Sequence, residues 1–344
     1  MHTLKKINSL VVLKNQKIFE VIKKINSSKI KIIFVIDAKK KLIGSISSGD
    51  IRRSIRKKIN PNSIAEKIMF KKPKFYFDKD EKKIDKDNID RDLICIPIVN
   101  KNMILMHFKI MDDVKKNKRN NTIFLMAGGK GKRLLPLTRK TPKPLLKIKN
   151  IPIIEKIIID FRNQGFSNFI ISVNYLAYKI KKYLGNGNRL NVEISYITEK
   201  KFLGTAGSLS LADTKKIQSP MIVVNSDLIA KVDYNNLLNY HLKRKSDLTI
   251  CAKNKIFEMP YGEIVLNDEK VKKIIEKPIS NNLVNAGIYV VNGDMLKNIK
   301  KNQRTMMNDF ITYLIKKNKN VLSYPIYENW IDIGNKLDFY NASK

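Results

Sequence analysis

Acidic residues are scarce in this 344-residue chain: 31 Asp and Glu stand against 68 Lys and Arg, a formal net charge of +37. Cysteine is scarcer still, at two residues, Cys95 and Cys251. Each lies inside a strand-like apolar run, "LICIPIV" and "LTICA", so a disulfide framework is excluded and buried thiols are expected. The three histidines, His2, His107 and His241, are scattered without metal-ligand spacing, and nothing argues for a zinc site. Long hydrophobic runs are also missing: no stretch nears the ~18 residues of a membrane span. The opening "MHTLKKINSLVVLKN" has too short an apolar stretch and no small-residue cleavage site for a secretory signal. A soluble, cytoplasmic protein without a membrane partner is the expectation. The positive excess invites a nucleic-acid reading. Yet the cations are mostly Lys, interleaved with Asn and Ile along the whole chain, which is the mark of an AT-rich coding bias. Diffuse charge gives weak, sequence-independent attraction. A solvated lysine-rich surface and no specific nucleic-acid partner follow.

Single cores stop growing near ~250 residues, so this length predicts two domains. The charged, aperiodic "KKNKRNN" at residues 115–121 marks the boundary, giving segments 1–117 and 118–344. In the first, "KIFEVIKKINSS" spaces Ile18, Val21, Ile22 and Ile25 as a helix. "IKIIFVID" then reads as a strand, "AKKKLIGSIS" as a turn and second strand, and "SGDIRRSIRKK" as a helix with Ser48 or Asp50 in its first turn. A weaker copy of the same order runs from "SIAEKIMFKKPKFYF" through "DLICIPIVNKNMILMHF" to "KIMDDVKK". The stretch "VIDAKKKLIGSISSGDIRRSI" resembles the second half of a CBS motif, and residues 1–117 resemble a CBS pair. That resemblance implies a regulatory module whose cleft takes an adenine nucleotide, with Ser47 and Asp50 at the positions that hold a ribose. Asp50 is equally well placed to cap the helix. The second copy lacks the matching Gly-x-Ser-x-x-Asp after "NMILMHF".

In the second segment apolar strands alternate with helices. "NTIFLMA", "NFIISVNY", "VEISYIT" and "PMIVVNSD" read as strands, with helices over "IPIIEKIIIDFRNQGF" and "LAYKIKKYL" between them. Ile154, Ile157, Ile158 and Phe161 share one face of the first helix, and Gly165 lies past its end. Strands buried on both faces and separated by helices predict an α/β fold with a doubly wound, mainly parallel sheet. Ligands in such sheets bind beyond the C-terminal ends of the strands. There stands "AGGKGKRLLPLTRKTPKPLL". Gly128, Gly129 and Gly131 let backbone N–H groups approach an anion, and Lys132 and Arg133 neutralise polyphosphate charge. Neither a Walker loop nor a dinucleotide fingerprint matches. Pro142 and Pro144 fix the backbone around Lys143, which aims it at one place.

Together these residues resemble the signature of the sugar-1-phosphate nucleotidylyltransferases, GGxGxRLxPxTxxxPKPL, with Lys132 departing where the family more often has a small hydroxyl residue. Further resemblances follow in order: "EKKFLGTAGSL" for the LGTAG loop, "VVNSDL" with Asp227 at a strand end, "IIEKP", "VNAGIYVV" and "NWIDIG". The resemblance spans residues 122 to about 340 and implies a Rossmann-like nucleotidyltransferase domain that uses Mg²⁺. It implies substrate-binding roles for Ala127, Gly128, Gly129, Gly131, Gly204, Thr205, Ala206, Gly207, Glu276, Asn285 and Gly287. It also implies Arg133 on the β and γ phosphates, Lys143 on the α phosphate, Lys277 on the sugar phosphate, and Asp227 and Asp332 on the metal. Read singly, Asp227 is a helix cap, Glu276 and Lys277 a surface pair, and Asp332 a turn residue; their joint occurrence favours a site.

The substrates so implied are a nucleoside triphosphate, with GTP favoured from the architecture, and a sugar-1-phosphate such as glucosamine- or mannose-1-phosphate. Enzymes of this arrangement resemble guanylyltransferases that supply surface glycans, including nonulosonic acids such as legionaminic acid. Paired CBS modules imply a homo-oligomer by analogy. A UTP- or dTTP-using glucose-1-phosphate enzyme and a non-catalytic nucleotide sensor stay open as alternatives. The helix "TMMNDFITYLIKK" is expected to pack Met306, Phe310 and Leu314 into the core. No hexapeptide repeats follow it, which argues against a fused acetyltransferase β-helix.

Overall fold

The computed structural model describes residues 7–28, 30–84, 95–110 and 118–343. The chain divides into two compact units, Met1–Lys116 and Asn117–Lys344.

The first unit runs β1 (Val11–Leu13), α1 (Ile18–Ser27), β2 (Ile32–Ile36), β3 (Leu42–Ser47), α2 (Ser48–Arg56), β4 (Tyr76–Phe77), β5 (Cys95–Val99) and β6 (Leu105–Ile110). Its two three-stranded sheets share one plan. β1 is parallel to β2, which is antiparallel to β3. Likewise β4 is parallel to β5, which is antiparallel to β6. The apolar stripe of α1 buries Ile18, Val21 and Ile25. Leu10, Phe34, Leu42, Cys95, Val99 and Phe108 form a common core, with Phe34 and Phe108 stacked at 4.9 Å. Burial pushes the Cys95 thiol up to about 12, which makes it inert. "SIAEKIMF" forms only a 3₁₀ turn, Ala65–Lys67, where the repeat predicts a helix. Backbone bridges from Ile64 to Lys17 and from Phe70 to Ser45 pin both ends of the stretch and leave room for one turn. Most of the closing "KIMDDVKK" lies outside the described residues.

The second unit opens with β7 (Ile123–Ala127) and a small hairpin, β8 (Lys147–Ile148) with β9 (Ile151–Pro152). Next come α3 (Ile153–Asn163), β10 (Asn168–Val173), α4 (Ala177–Leu184), β11 (Glu193–Thr198), the short α5 (Gly204–Gly207) and β12 (Met221–Asn225). They are followed by β13 (Leu228–Ala230), α6 (Tyr234–Lys243), β14 (Leu248–Glu258), β15 (Glu263–Asn267), β16 (Lys270–Ile275) and β17 (Ile279–Val291). α7 (Met307–Lys316), β18 (Val321–Ile326), β19 (Trp330–Asp332) and α8 (Lys336–Ser343) complete it. Seven strands form the central sheet in the order β11-β10-β7-β12-β17-β14-β18. β17 alone runs against its neighbours β12 and β14; the other pairings are parallel. The sheet is parallel-rich and mixed, within an α/β fold.

Alternation along β7 explains its central place. Ile123 and Leu125 enter one core, with α3 residues Ile154, Ile158 and Phe161, while Phe124 enters the other, with Phe310 and Leu314 of α7. Buried apolar side chains on both faces require cover from helices on both sides. β11 departs from the expectation of strands buried on both faces: it is an edge strand and leaves Glu193 and Ser195 exposed. Met306 also departs. It is the N-cap of α7 and 38% exposed; Phe310 and Leu314 are buried as expected, and Met307 and Ile311 complete the face.

Phe161 is fully buried, stacks on Tyr234 at 3.8 Å and meets Phe166 and Phe169 edge-on. Phe161→Ala is expected to cost about 3–5 kcal/mol, the range for an aromatic cavity in a well-packed core. The fluorescence of Trp330, the chain's one tryptophan, reports this unit's unfolding in urea; an unchanged midpoint would contradict the packing described.

Candidate active site

A cavity of about 270 Å³ opens beyond the C-terminal ends of β7 and β12, where ligands of doubly wound sheets bind. Its floor is the glycine loop. Gly131 sits at φ 61°, and a Cβ there would lie 2.9 Å from Thr138 Cγ2, so both its conformation and its surroundings call for glycine. Thr138 Oγ1 donates to the Gly131 carbonyl at 2.9 Å and ties the loop to the segment that follows.

That segment delivers Lys143. Pro142 holds φ at −64° and a 3₁₀ turn follows, Lys143–Leu145, with Pro144 inside it. Lys143 is 9% exposed and its ammonium is ion-paired with the Asp227 carboxylate. Asp227 follows β12, and the antiparallel pairing of β13 with β19 sets Leu228 opposite Asp332. The two acids therefore approach across one ladder. Partial withdrawal from water and the Asp227 charge raise the Asp332 carboxyl, while Lys143 and Arg133 oppose the shift. Asp227 Oδ1 is buried without a hydrogen-bond partner. Two cations and two carboxylates thus converge at the cavity.

The wall opposite is the LGTAG loop, whose glycines answer to contact. Gly204 is at φ 83°, and a Cβ on it would stand 2.5 Å from the Thr305 carbonyl. That carbonyl accepts the N–H groups of Ala206 and Gly207 at 3.0 and 3.1 Å. Thr205 Oγ1 in turn accepts the Met307 N–H at 2.7 Å, satisfying a donor that the first turn of α7 leaves open. A side cavity of about 230 Å³ adjoins, sharing Thr205 and Asn225 with the main one and lined further by Asn285 and Gly287.

Of the residues singled out in the sequence, Gly128, Gly129, Gly131, Arg133, Lys143, Gly204, Thr205 and Asp227 line the main cavity. Asp332 stands beside Asp227, and Asn285 and Gly287 line the side cavity. Ala127 and Ala206 line neither; they are packed into the two cores, where they anchor the loops. Gly207 is buried against the backbone of Gln303. Glu276 and Lys277 also line neither cavity: they are exposed residues after β16, with Lys277 at φ 44°. In the first unit Ser47 is the N-cap of α2. Its Oγ accepts the Asp50 N–H at 3.3 Å, and the Asp50 carboxylate accepts the Ser47 N–H at 2.8 Å and pairs with Arg53. The pair forms a reciprocal capping box.

Glu199 was not singled out, although it opens the segment quoted for the LGTAG loop. It is 3% exposed, accepts the Leu203 N–H at 2.9 Å through Oε2, and turns Oε1 toward Gly128. Burial raises its carboxyl and the Leu203 amide opposes that. Asn225 and Phe202 also line the cavity. A lone acid between a strand and a glycine loop was the available signal for Glu199.

The family model described as nucleotidyl transferase matches residues 123–344. Curated relatives include mannose-1-phosphate guanyltransferases of Pichia angusta, 32% identical over 229 residues, and of Saccharomyces cerevisiae, 31% identical over 230. These alignments cover 63% and 64% of this chain, and the chain spans 62% and 63% of the length of those relatives. Among solved structures, HddC from Yersinia pseudotuberculosis is similar with a TM-score of 0.52 and 26% identity, over 65% of this chain and 98% of that one. The same protein complexed with GMP-PN matches with a TM-score of 0.52 and 25% identity, again over 65% and 98%.

Thr205→Val keeps the shape of the side chain and removes the oxygen that accepts from Met307. It is expected to cost about 1 kcal/mol, as the loss of a capping oxygen does, and to speed hydrogen exchange at the Met307 amide. Exchange as slow as in the parent would show that Thr205 does not hold the start of α7.

Proposed function

The chain belongs to the nucleotidyl transferase family, and on that premise we propose that it joins a nucleoside triphosphate, GTP, to a sugar-1-phosphate and releases pyrophosphate. The observation that carries this reading is the convergence of Lys143, Arg133 and Asp227 over a glycine loop in one cavity, with Asp332 beside Asp227. A phosphate monoester is anionic near neutral pH, so no protein nucleophile or general base is needed. Its oxygen bonds to the α-phosphorus, the bond from that phosphorus to the bridging oxygen breaks, and the electron pair leaves with pyrophosphate. What the reaction requires is that two anions be brought together in line and the developing charge be held. Lys143, fixed by its proline mount, meets the α phosphate, and Arg133 at the cavity rim meets the β and γ phosphates.

The donor set suits a hard divalent cation such as Mg²⁺. Asp227 has an oxygen without a partner and Asp332 lies beside it. Among the described residues no three His, Cys, Asp or Glu side chains cluster as a metal site, so phosphate and water oxygens would complete the shell. Such an ion would polarise the reacting phosphoryl group. Lys277 and Glu276 would serve the sugar phosphate and sugar hydroxyls after the exposed segment that carries them moves toward the cavity.

Guanine is favoured by the named relatives and by Glu199. A carboxylate offers acceptors only, which suits the N1–H and N2 amino donors of guanine. It opposes the edge of uracil or thymine, where an N–H lies between two carbonyls. The product would serve surface glycan or nonulosonic acid synthesis in the cytoplasm, legionaminic acid included. In the first unit, the duplicated sheet plan supports a CBS pair, as a regulatory module for an adenine nucleotide and a route to a homo-oligomer.

Pyrophosphate release with Mg²⁺ should be measured across GTP, UTP and dTTP against several sugar-1-phosphates. GTP is expected to be the best triphosphate. Lys143→Ala or Asp227→Ala is expected to cost about 3 kcal/mol in transition-state stabilisation, roughly 10²–10³-fold in kcat/KM, with the fold intact. Near-parent turnover in both variants would refute the assignment. Glu199→Gln is expected to shift preference from GTP toward UTP by about 1–3 kcal/mol, the scale of one well-made base contact; an unchanged preference would remove Glu199 from base selection.

A further inference from the structure

Asp332 ends β19, which pairs with β13 in a two-stranded sheet apart from the central one. The preceding strand, β18, is the edge of the central sheet and runs beside β14 until Lys253 meets Ile326, where β18 ends. From there the chain leaves the sheet through Tyr327, Glu328 and Asn329 to reach Trp330. Where Asp332 comes to lie beside Asp227 therefore depends on how that crossing is held. Lys253 grips it: Nζ donates to the Tyr327 carbonyl at 3.2 Å and to the Glu328 carbonyl at 2.7 Å. We propose that Lys253 is a positioning residue, which sets the separation of the Asp227 and Asp332 carboxylates and so the affinity of the pair for a divalent cation. The inference rests on the metal reading above and adds to it a residue that lies in no motif.

Lys253 is half-buried. Withdrawal from water pulls its ammonium down, the Glu328 charge opposes that, and Lys255 adds to it. A cation so placed is costly unless its protons reach acceptors, and two of its three donors go to these backbone carbonyls. A bond from an ammonium is stronger than one from a neutral donor, so the grip is firm. Glu328 closes the bend from the other side: it is 3% exposed and its Oε2 accepts the Tyr327 N–H at 3.0 Å. Further along, the Asn329 carbonyl accepts the Lys231 N–H at 3.0 Å, and Trp330 Nε1 donates to the Ala286 carbonyl at 2.9 Å. The Asp227 carbonyl accepts the Ile333 N–H at 3.1 Å. Those three bonds align β19 with the end of β13, with β17 and with Asp227. None of them reaches β14. Lys253 supplies that tie, and Lys255, on the same face of β14, stands over the Trp330 ring at 5.4 Å.

The test uses the full chain and Mn²⁺ alone, which suits the same oxygen donors and is counted by electron paramagnetic resonance. Lys253→Met keeps the length of the side chain and removes the donor. It is expected to weaken Mn²⁺ binding by about tenfold, the low end of what the loss of an outer partner costs a metal site. Hydrogen exchange at the Lys231 and Ile333 amides is expected to quicken, while the amides of β7 and the urea midpoint stay as in the parent. Lys253→Arg, which keeps a cation with N–H donors, is expected to restore most of the affinity. Parent-like Mn²⁺ binding and exchange in Lys253→Met would overturn the proposal. So would faster exchange in β7 together with a lowered midpoint, which would make Lys253 a structural residue only. Should the parent bind no Mn²⁺ that Asp227→Ala abolishes, the metal reading falls and this inference with it, while pyrophosphate release still judges the transfer.

Discussion

The pairing of Lys143 with Asp227 is the contact around which the rest of the second unit is arranged. It joins a loop that follows β7 to the end of β12, 84 residues on, and both partners are largely withdrawn from water. A lysine so placed needs a mount that does not yield, and the proline on either side supplies it. An aspartate so placed needs a strand end that does not drift. β12 supplies that by lying between β7 and β17 in the middle of the sheet. A buried ion pair of this kind contributes little net stability, because desolvation opposes the attraction. On the proposed reading its value would lie in holding two opposite charges where polyphosphate and a cation could take them over.

The LGTAG segment shows one stretch serving structure and chemistry together. Gly204 and Thr205 line the cavity, while the next two residues are packed away and spend their N–H groups on the Thr305 carbonyl. Gly207 lies so close to the Gln303 backbone that a Cβ would come within 2.7 Å of its carbonyl. The pattern of the motif is thus set in half by the cavity and in half by the start of α7. A residue quoted from a motif is not for that reason a contact residue.

This distinction also marks how far the site was legible in the sequence. Strands and helices of the second unit followed from apolar periodicity, because β7, β10 and β12 are buried on both faces and α3 presents one continuous stripe. The glycine loop and Pro-Lys-Pro were legible because unusual backbone demands leave unusual residues. Less legible were contacts made by ordinary residues at long range. Asn308 lies 23 residues beyond Asn285 and belongs to no motif, and the two meet only because α7 packs against the sheet beside β17. Met306 was misplaced by one position since helical spacing alone does not say where the N-cap falls. The turn at Ala65–Lys67 was misread as a helix because bridges from distant residues, and not local propensity, set its length.

The two adjoining cavities differ in the charge they carry: Lys132, Arg133, Lys143, Glu199 and Asp227 line the main one, and uncharged residues line the other. A reaction between two phosphates needs strong fields, and those fields attract any anion of suitable size. Selectivity for one sugar therefore cannot come from the same groups. On the proposed reading it would have to come from uncharged groups nearby. Thr205 and Asn225 stand on the seam, facing both spaces. The heavy positive charge of the whole chain attracts phosphorylated molecules in general and carries no selectivity of its own.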